Sequence, residues 1–210
     1  AIMMAAAFWS LAPFTGSVVK TFSLANFQTL LTAPVYRDVA IRSISVALLV
    51  TLIDALLALP IAFFAAKVVY SQRLRYAIVI AATMPLWAGY LVKGYAWRIM
   101  LDRNGVLDWM LAPFGLTGPG LGLPATVIAL AYLWLPYMVL PLYAGFERIS
   151  TSLTDASADL GARAGFTFRT VLLPMLAPAL IAGSIFTFSL SLGDYIMVNT
   201  PGVLRSMARQ

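Results

Sequence analysis

Residues 124–146 carry no charged side chain, and they form one of four windows long and apolar enough to cross a bilayer, at about 39–66, 77–100, 124–146 and 175–198. A crossing helix needs roughly 20 mostly apolar residues, because only a helix satisfies its own backbone polar groups where water is absent. With 61% hydrophobic and 10% charged residues and a mean hydropathy of +0.90, too little polar surface remains to coat a water-soluble domain. The expected fold class is an all-α membrane protein, a multi-span helical bundle with four full spans.

The connections fit that frame. The opening "AIMMAAAFWSLAPF" is too short to cross and has no basic stretch ahead of it, so it reads as the tail of a span rather than a cleavable signal peptide. "KTFSLANFQTLLTAPVYRD" predicts a short interfacial amphipathic helix, capped by Ser23 and stopped by Pro34. "KVVYSQRLRY" gathers Lys67, Arg73 and Arg75 without an acid, the signature of a cytoplasmic connection. Residues 102–124 hold Asn-Gly and Gly-Pro turn signals and predict an ordered outer loop with a short helix around 108–111.

Placing Lys67, Arg73, Arg75, Arg148, Arg163 and Arg169 inside leaves Lys20, Arg37, Arg42, Arg98 and Arg103 outside, so charge alone hardly orients the bundle. By parity Arg205 and Arg209 then fall outside, against the rule, which suggests that the tail is not a natural end. The net charge of +6 serves interfacial anchoring against anionic lipid; no basic run with interleaved aromatics points to nucleic acid.

Chemistry is narrowly bounded. The chain has no Cys and no His, which removes disulfides, thiol nucleophiles, the usual proton shuttle and the commonest metal ligand. Without a Gly-x-Ser-x-Gly elbow it also lacks a recognisable nucleophile for intramembrane catalysis. Neither catalytic nor metal-binding residues are expected. No phosphate-binding Gly-x-x-x-x-Gly-Lys-Ser/Thr pattern occurs, so no nucleotide cofactor is expected in this chain; Gly118, Gly120 and Gly122 read as loop.

One stretch breaks the apolar pattern: "DASADLGARAGFTFRTVLLP", residues 155–174. Residues 152–165 predict a short helix with Ser152 or Thr154 as cap, Asp155 in the positive first turn and Gly165 as its end. Asp155 and Asp159 repel at i,i+4 spacing, while Asp159 and Arg163 pair at the same spacing. The small residues leave a narrow rod that another surface can grip closely. Read from the residues alone, a solvated linker is equally admissible.

The spacing of this stretch resembles the cytoplasmic motif of bacterial ATP-binding-cassette importer permeases: Glu-Ala-Ala, three residues, Gly, nine residues, Ile, one residue, Leu-Pro. Here Asp155, Ala156, Ser157, Gly161, Val171, Leu173 and Pro174 stand at those positions. "LVKGYAWRIMLDRNGVLDWML", "YLWLPYMVLPLYAGFERI" and "SLGDYIMVNTPG" resemble in particular the permease subunits of spermidine/putrescine importers.

The resemblance implies that Asp155, Ala156, Ser157, Asp159, Gly161, Arg163, Leu173 and Pro174 belong to a coupling segment docking in a partner ATPase. It further implies a multi-pass bacterial inner-membrane subunit working with an ATPase dimer, a second permease subunit and a periplasmic substrate-binding protein. On this reading residues 1–202 are the permease transmembrane domain, its first span truncated and its sixth missing, and 203–210 an atypical tail.

A polyamine route calls for carboxylates and aromatic faces. Asp194, beside Tyr195, is the only charge in the last window. Asp54 lies mid-span, where Lys93 on the neighbouring span offers a structural ion pair as the alternative. Tyr132, Trp134 and Tyr137 are further candidates for contact with substrate, with packing or interfacial anchoring as the alternative. Pro136 and Pro141 are expected to kink their helix. Rival functions are a permease for another solute such as an oxyanion, and a self-contained secondary transporter or channel.

Overall fold

The computed structural model describes residues 34–194 throughout, together with the backbone of 10–11 and 18–19. Two compact units divide the chain, Ala1–Ser45 and Val46–Gln210. In the first, β1 (Ser10–Leu11) pairs antiparallel with β2 (Val18–Val19), Ser10 opposite Val19. The expected interfacial helix after Lys20 lies outside the described residues.

Every other described element is helical. Helix α1 spans Pro34–Val68, ending in a π turn over Phe64–Val68. It is followed by α2 (Gln72–Leu86), α3 (Tyr90–Leu101), α4 (Val106–Leu111), α5 (Leu123–Arg148), α6 (Thr151–Asp159) and α7 (Ala164–Leu192). Among the described residues α1, α5 and α7 are each long and apolar enough to cross a membrane, and α2 with α3 makes a fourth candidate if the pair is one span.

The pair is not straight, which corrects the reading of 77–100 as one plain span: α2 and α3 meet at 93°. Pro85 cannot donate to the helical ladder, and Gly89 restarts the chain as the N-cap of α3. The break frees the Pro85 carbonyl, and Lys93 Nζ donates to it at 2.8 Å. By contrast α5 runs on through Pro136 and Pro141 as one helix.

Within the second unit α5 is the hub. It buries Leu130, Leu133, Met138, Leu142 and Phe146 completely. In lipid, helix association draws on close van der Waals contact rather than removal of apolar surface from water, so small residues mark the seams. Helix α1 buries Ala47, Val50, Ala58 and Ala62 while Leu48, Leu52 and Leu56 point outward. At the α5–α7 crossing a Cβ on Gly145 would stand 2.9 Å from the Ala179 Cβ, and one on Gly183 would stand 2.7 Å from Met138 Sδ. Those two contacts run in opposite chain directions, so α5 and α7 are antiparallel. Phe63 locks the far end, edge-on to Phe146 at 5.6 Å and to Phe168 at 6.2 Å.

The loop between α3 and α5 is ordered by Asp108. Its carboxylate accepts the Asn104 N–H at 2.9 Å and the Gly118 N–H, while Asn104 takes a left-handed φ of 65°. These backbone donors hold the Asp108 carboxyl below its ordinary value, opposed by a smaller desolvation effect. A depressed folded-state pKa contributes stability above the unfolded pKa and loses it as pH falls through the folded one. Acidification below the usual carboxylate range should therefore lower the protection factors of the Asn104 and Gly118 amides, corrected for the intrinsic pH dependence of exchange, and in Asp108→Asn those factors should no longer change with pH.

Candidate functional site

At one end of the bundle α6 and the start of α7 form a tight elbow. Ser150 caps α6, accepting the Ser152 N–H at 3.3 Å, so the expected caps Ser152 and Thr154 are displaced by the residue ahead of them. The helix also ends earlier than expected. Gly161, at φ 78°, donates its N–H to the Ala158 carbonyl at 2.8 Å, and Ala162 donates to the Ser157 carbonyl at 3.1 Å.

That pair of bonds is the Schellman closure, with glycine in the left-handed position. Gly161 rather than Gly165 terminates α6. Because the helix stops at Asp159, Arg163 is not one turn further along it, and the expected Asp159–Arg163 ion pair does not form.

Arg163 instead opens α7, its carbonyl accepting the Phe166 and Thr167 N–H groups at 2.9 and 3.0 Å. The Ser157 and Thr167 hydroxyls bond at 2.7 Å across the elbow, so Ser157 pins α6 to α7. Thr167 was not foreseen; only the fold makes it a partner.

The elbow encloses an open groove of about 670 Å³ that gathers Ala156, Ser157, Gly161, Arg163 and Val171. Its walls also include Leu153, Leu160 and Phe166, which were not singled out in the sequence. Leu160 is 88% exposed and Phe166 62%. Asp155 and Asp159 are exposed and lie outside the groove lining, as do Leu173 and Pro174. The Pro174 ring cannot serve the Thr170 carbonyl, and the turn ahead widens to a π turn over Phe168–Leu172.

A polar clasp fixes the base of the elbow. Lys67 Nζ donates to the Ile149 carbonyl, and Arg75 meets Glu147 at 3.4 Å. The Tyr143 hydroxyl donates to the same Glu147 oxygen at 2.6 Å. The Arg75–Glu147 pair is partly exposed and is worth at most roughly 1 kcal/mol; the clasp sets geometry more than stability.

The remaining candidates lie outside the lining of the elbow groove. Asp194 is buried at the far end of α7, where its carboxylate accepts the Tyr90 hydroxyl; Tyr195 lies outside the described residues. Asp54 is fully buried and is not paired with Lys93, which removes the ion-pair alternative: Lys93 is held on Pro85, 5.9 Å from the Tyr90 ring. Tyr132 packs against Trp97 at 5.1 Å, while Trp134 and Tyr137 face each other at 5.8 Å.

The described residues thus form a bundle of apolar helices with small-residue seams and an exposed elbow at one end. The family model for the binding-protein-dependent transport system inner membrane component matches residues 30–208, and the chain belongs to that family. It is 41% identical over 213 residues to the inner membrane ABC transporter permease protein YdcU of Escherichia coli (strain K12), covering 93% of this chain and 67% of that one. It is 30% identical over 194 residues to the spermidine/putrescine transport system permease protein PotB of the same strain, covering 90% and 70%. The molybdenum transport system permease protein ModB of Mycobacterium bovis is 28% identical, covering 81% and 63%.

A crystal structure of a bacterial ABC transporter involved in the import of alginate shares the fold, with a TM-score of 0.57 at 18% identity over 89% of this chain and 71% of that chain. The chain is thus a multi-pass inner-membrane permease of an ABC importer, a transport subunit rather than an enzyme.

Proposed function

We propose that this permease moves polyamines of the spermidine/putrescine class into the cytoplasm, taking them from a periplasmic binding protein and drawing on a separate ATPase dimer docked at the α6–α7 elbow. A second permease subunit completes the path. The observation that carries the coupling half is the exposure of Leu160 and Phe166 around a small-residue groove. Two large apolar side chains held out beside a narrow helix are unfavourable in water and gain by insertion into a protein cleft. Movement of the ATPases then reaches α7 directly through the elbow and α1 through Lys67.

The substrate half rests on the similarity to PotB and on the acids in the bundle. Asp194 presents a carboxylate next to the Tyr90 ring, with Tyr195 adjacent in sequence. Carboxylate and aromatic faces suit an ammonium group. An oxyanion is the second reading, favoured by the similarity to ModB; buried acids oppose it by like-charge repulsion.

The test is uptake by the assembled importer in proteoliposomes, with labelled putrescine, spermidine and molybdate as competing solutes. Accumulation of polyamine alone is expected; accumulation of molybdate alone would overturn the substrate assignment. Asp194→Asn should raise the KM for putrescine while the ATPase still co-purifies, and an unchanged KM would take Asp194 off the route.

A further inference from the structure

Three helices bring unpartnered polar groups to one depth of the bundle. On α1, Asp54 is fully buried, one turn from Val50 on one side and from Ala58 on the other, and neither of its carboxyl oxygens has a hydrogen-bond partner. Ala58 packs in one cluster with Met138, and Val50 in another with Leu130 and Leu133. Asp54 therefore lies level with the turn of α5 that carries Trp134, whose indole Nε1 is likewise buried without a partner.

Helix α7 reaches the same depth. Gly183 sits against Met138 and Tyr137, so in this antiparallel pair Thr187, one turn on, stands opposite the Trp134 turn. Thr187 is fully buried, and its hydroxyl too lacks a partner.

Orphaned polar atoms are costly in a bilayer, and an ionisable residue inside it marks a route for charge unless something pairs with it. The chemistry of these three side chains selects the occupant. Asp54 and Thr187 together offer three acceptor oxygens, and an alkylammonium head has three N–H donors and no acceptor. The indole adds an aromatic face for the cation, while its N–H can hold the carboxylate from a second direction. An anion would meet the Asp54 carboxylate. A dehydrated divalent ion would find three oxygens where it needs about six.

We propose that Asp54, Trp134 and Thr187 form a mid-membrane site for a single alkylammonium head, a station on the solute route separate from Asp194. The identity of the cation as a polyamine rests on the function proposed above; the site itself does not. It is shut in the arrangement seen here, so access for a cation requires α1 or α7 to shift relative to α5.

Two measurements on the assembled importer decide the matter. A hydrophobic carbodiimide, with the modified residue located by peptide mass spectrometry, should label Asp54; putrescine and methylammonium should protect it, and butanediol should not. No labelling of Asp54, or labelling indifferent to both amines, would overturn the site. In uptake assays Asp54→Asn should raise the KM for putrescine about tenfold to a hundredfold, the range expected for losing a hydrogen bond to a charged group, with Asp54→Glu closer to the parent.

An Asp54→Asn importer with parental KM and kcat would overturn the proposal whatever the labelling shows, leaving Asp54 as a neutral packing group. Amine protection in a parent importer that accumulates neither putrescine nor spermidine would keep the site and remove the polyamine assignment.

Discussion

Gly161→Trp abolishes ATP-driven uptake while leaving membrane insertion intact: that is the expected result if the elbow is the coupling surface. The argument turns on what surrounds Gly161 in the chain itself. Nothing lies within 4 Å of a Cβ built there, so a side chain leaves the backbone into the open groove, where a seated partner would meet its bulk. Backbone strain is the competing cause, because Gly161 is left-handed at φ 78° and a side chain there costs roughly 1–2 kcal/mol. Gly161→Ala carries that strain without the bulk.

The pair of variants therefore separates the two causes. Gly161→Ala should retain most of the uptake and still co-purify the ATPase, whereas Gly161→Trp should lose both. Equal loss in the two would assign the effect to the turn. Normal uptake by Gly161→Trp would remove the docking proposal altogether.

How much of this was legible beforehand depends on the range of the interaction. The long apolar windows follow from composition within each window, and they give α1 and α5 close to their observed limits, whereas α7 begins at Ala164, well ahead of the window at 175–198, because its polar first turns lower the hydropathy average, and ends at Leu192. The elbow was legible as a polar, small-residue interruption at motif spacing, and Asn104-Gly105 as a turn. The cap at Ser150 was missed because Ser150, Ser152 and Thr154 all carry a capping hydroxyl, and the choice is made by where α5 ends at Arg148. Likewise Gly161 and Gly165 are both able to close a helix; the closure at Gly161 is selected by the Ser157–Thr167 bond and the restart at Arg163.

The groove was only half legible. Leu160 and Phe166 look like ordinary apolar residues in the sequence, and their meaning lies in their exposure, which periodicity does not give. The Asp54–Lys93 pair failed for a local reason. Pro85 and Gly89 were visible as helix breakers, but a hydropathy average passes over them, and once the helix breaks the Pro85 carbonyl claims the Lys93 ammonium. Thr187 carried no signal at all, since a lone hydroxyl in an apolar run can bond back to its own helix.

The α5–α7 seam depends on close backbone approach, and Gly183→Leu should break it. A Cβ at this position would lie 2.7 Å from Met138 Sδ, 3.2 Å from Met138 Cα and 3.4 Å from the Tyr137 carbonyl oxygen. The sulfur ends a flexible chain and can swing aside, but the other two atoms belong to the backbone of α5, so relief requires the helices themselves to separate. Overpacking of this kind costs about 1–3 kcal/mol, and here it displaces contacts along the entire crossing, Gly145 against Ala179 included.

The expected outcome is a purified subunit with a lowered Tm and little assembled importer in the membrane. Met138→Ala should not restore it, because truncating the side chain leaves the α5 backbone where it was. Rescue by Met138→Ala would show that the thioether alone sets the spacing. A Gly183→Leu importer of parental stability would mean that α5 and α7 do not cross at this distance, and the alignment of Thr187 with Trp134 would go with it.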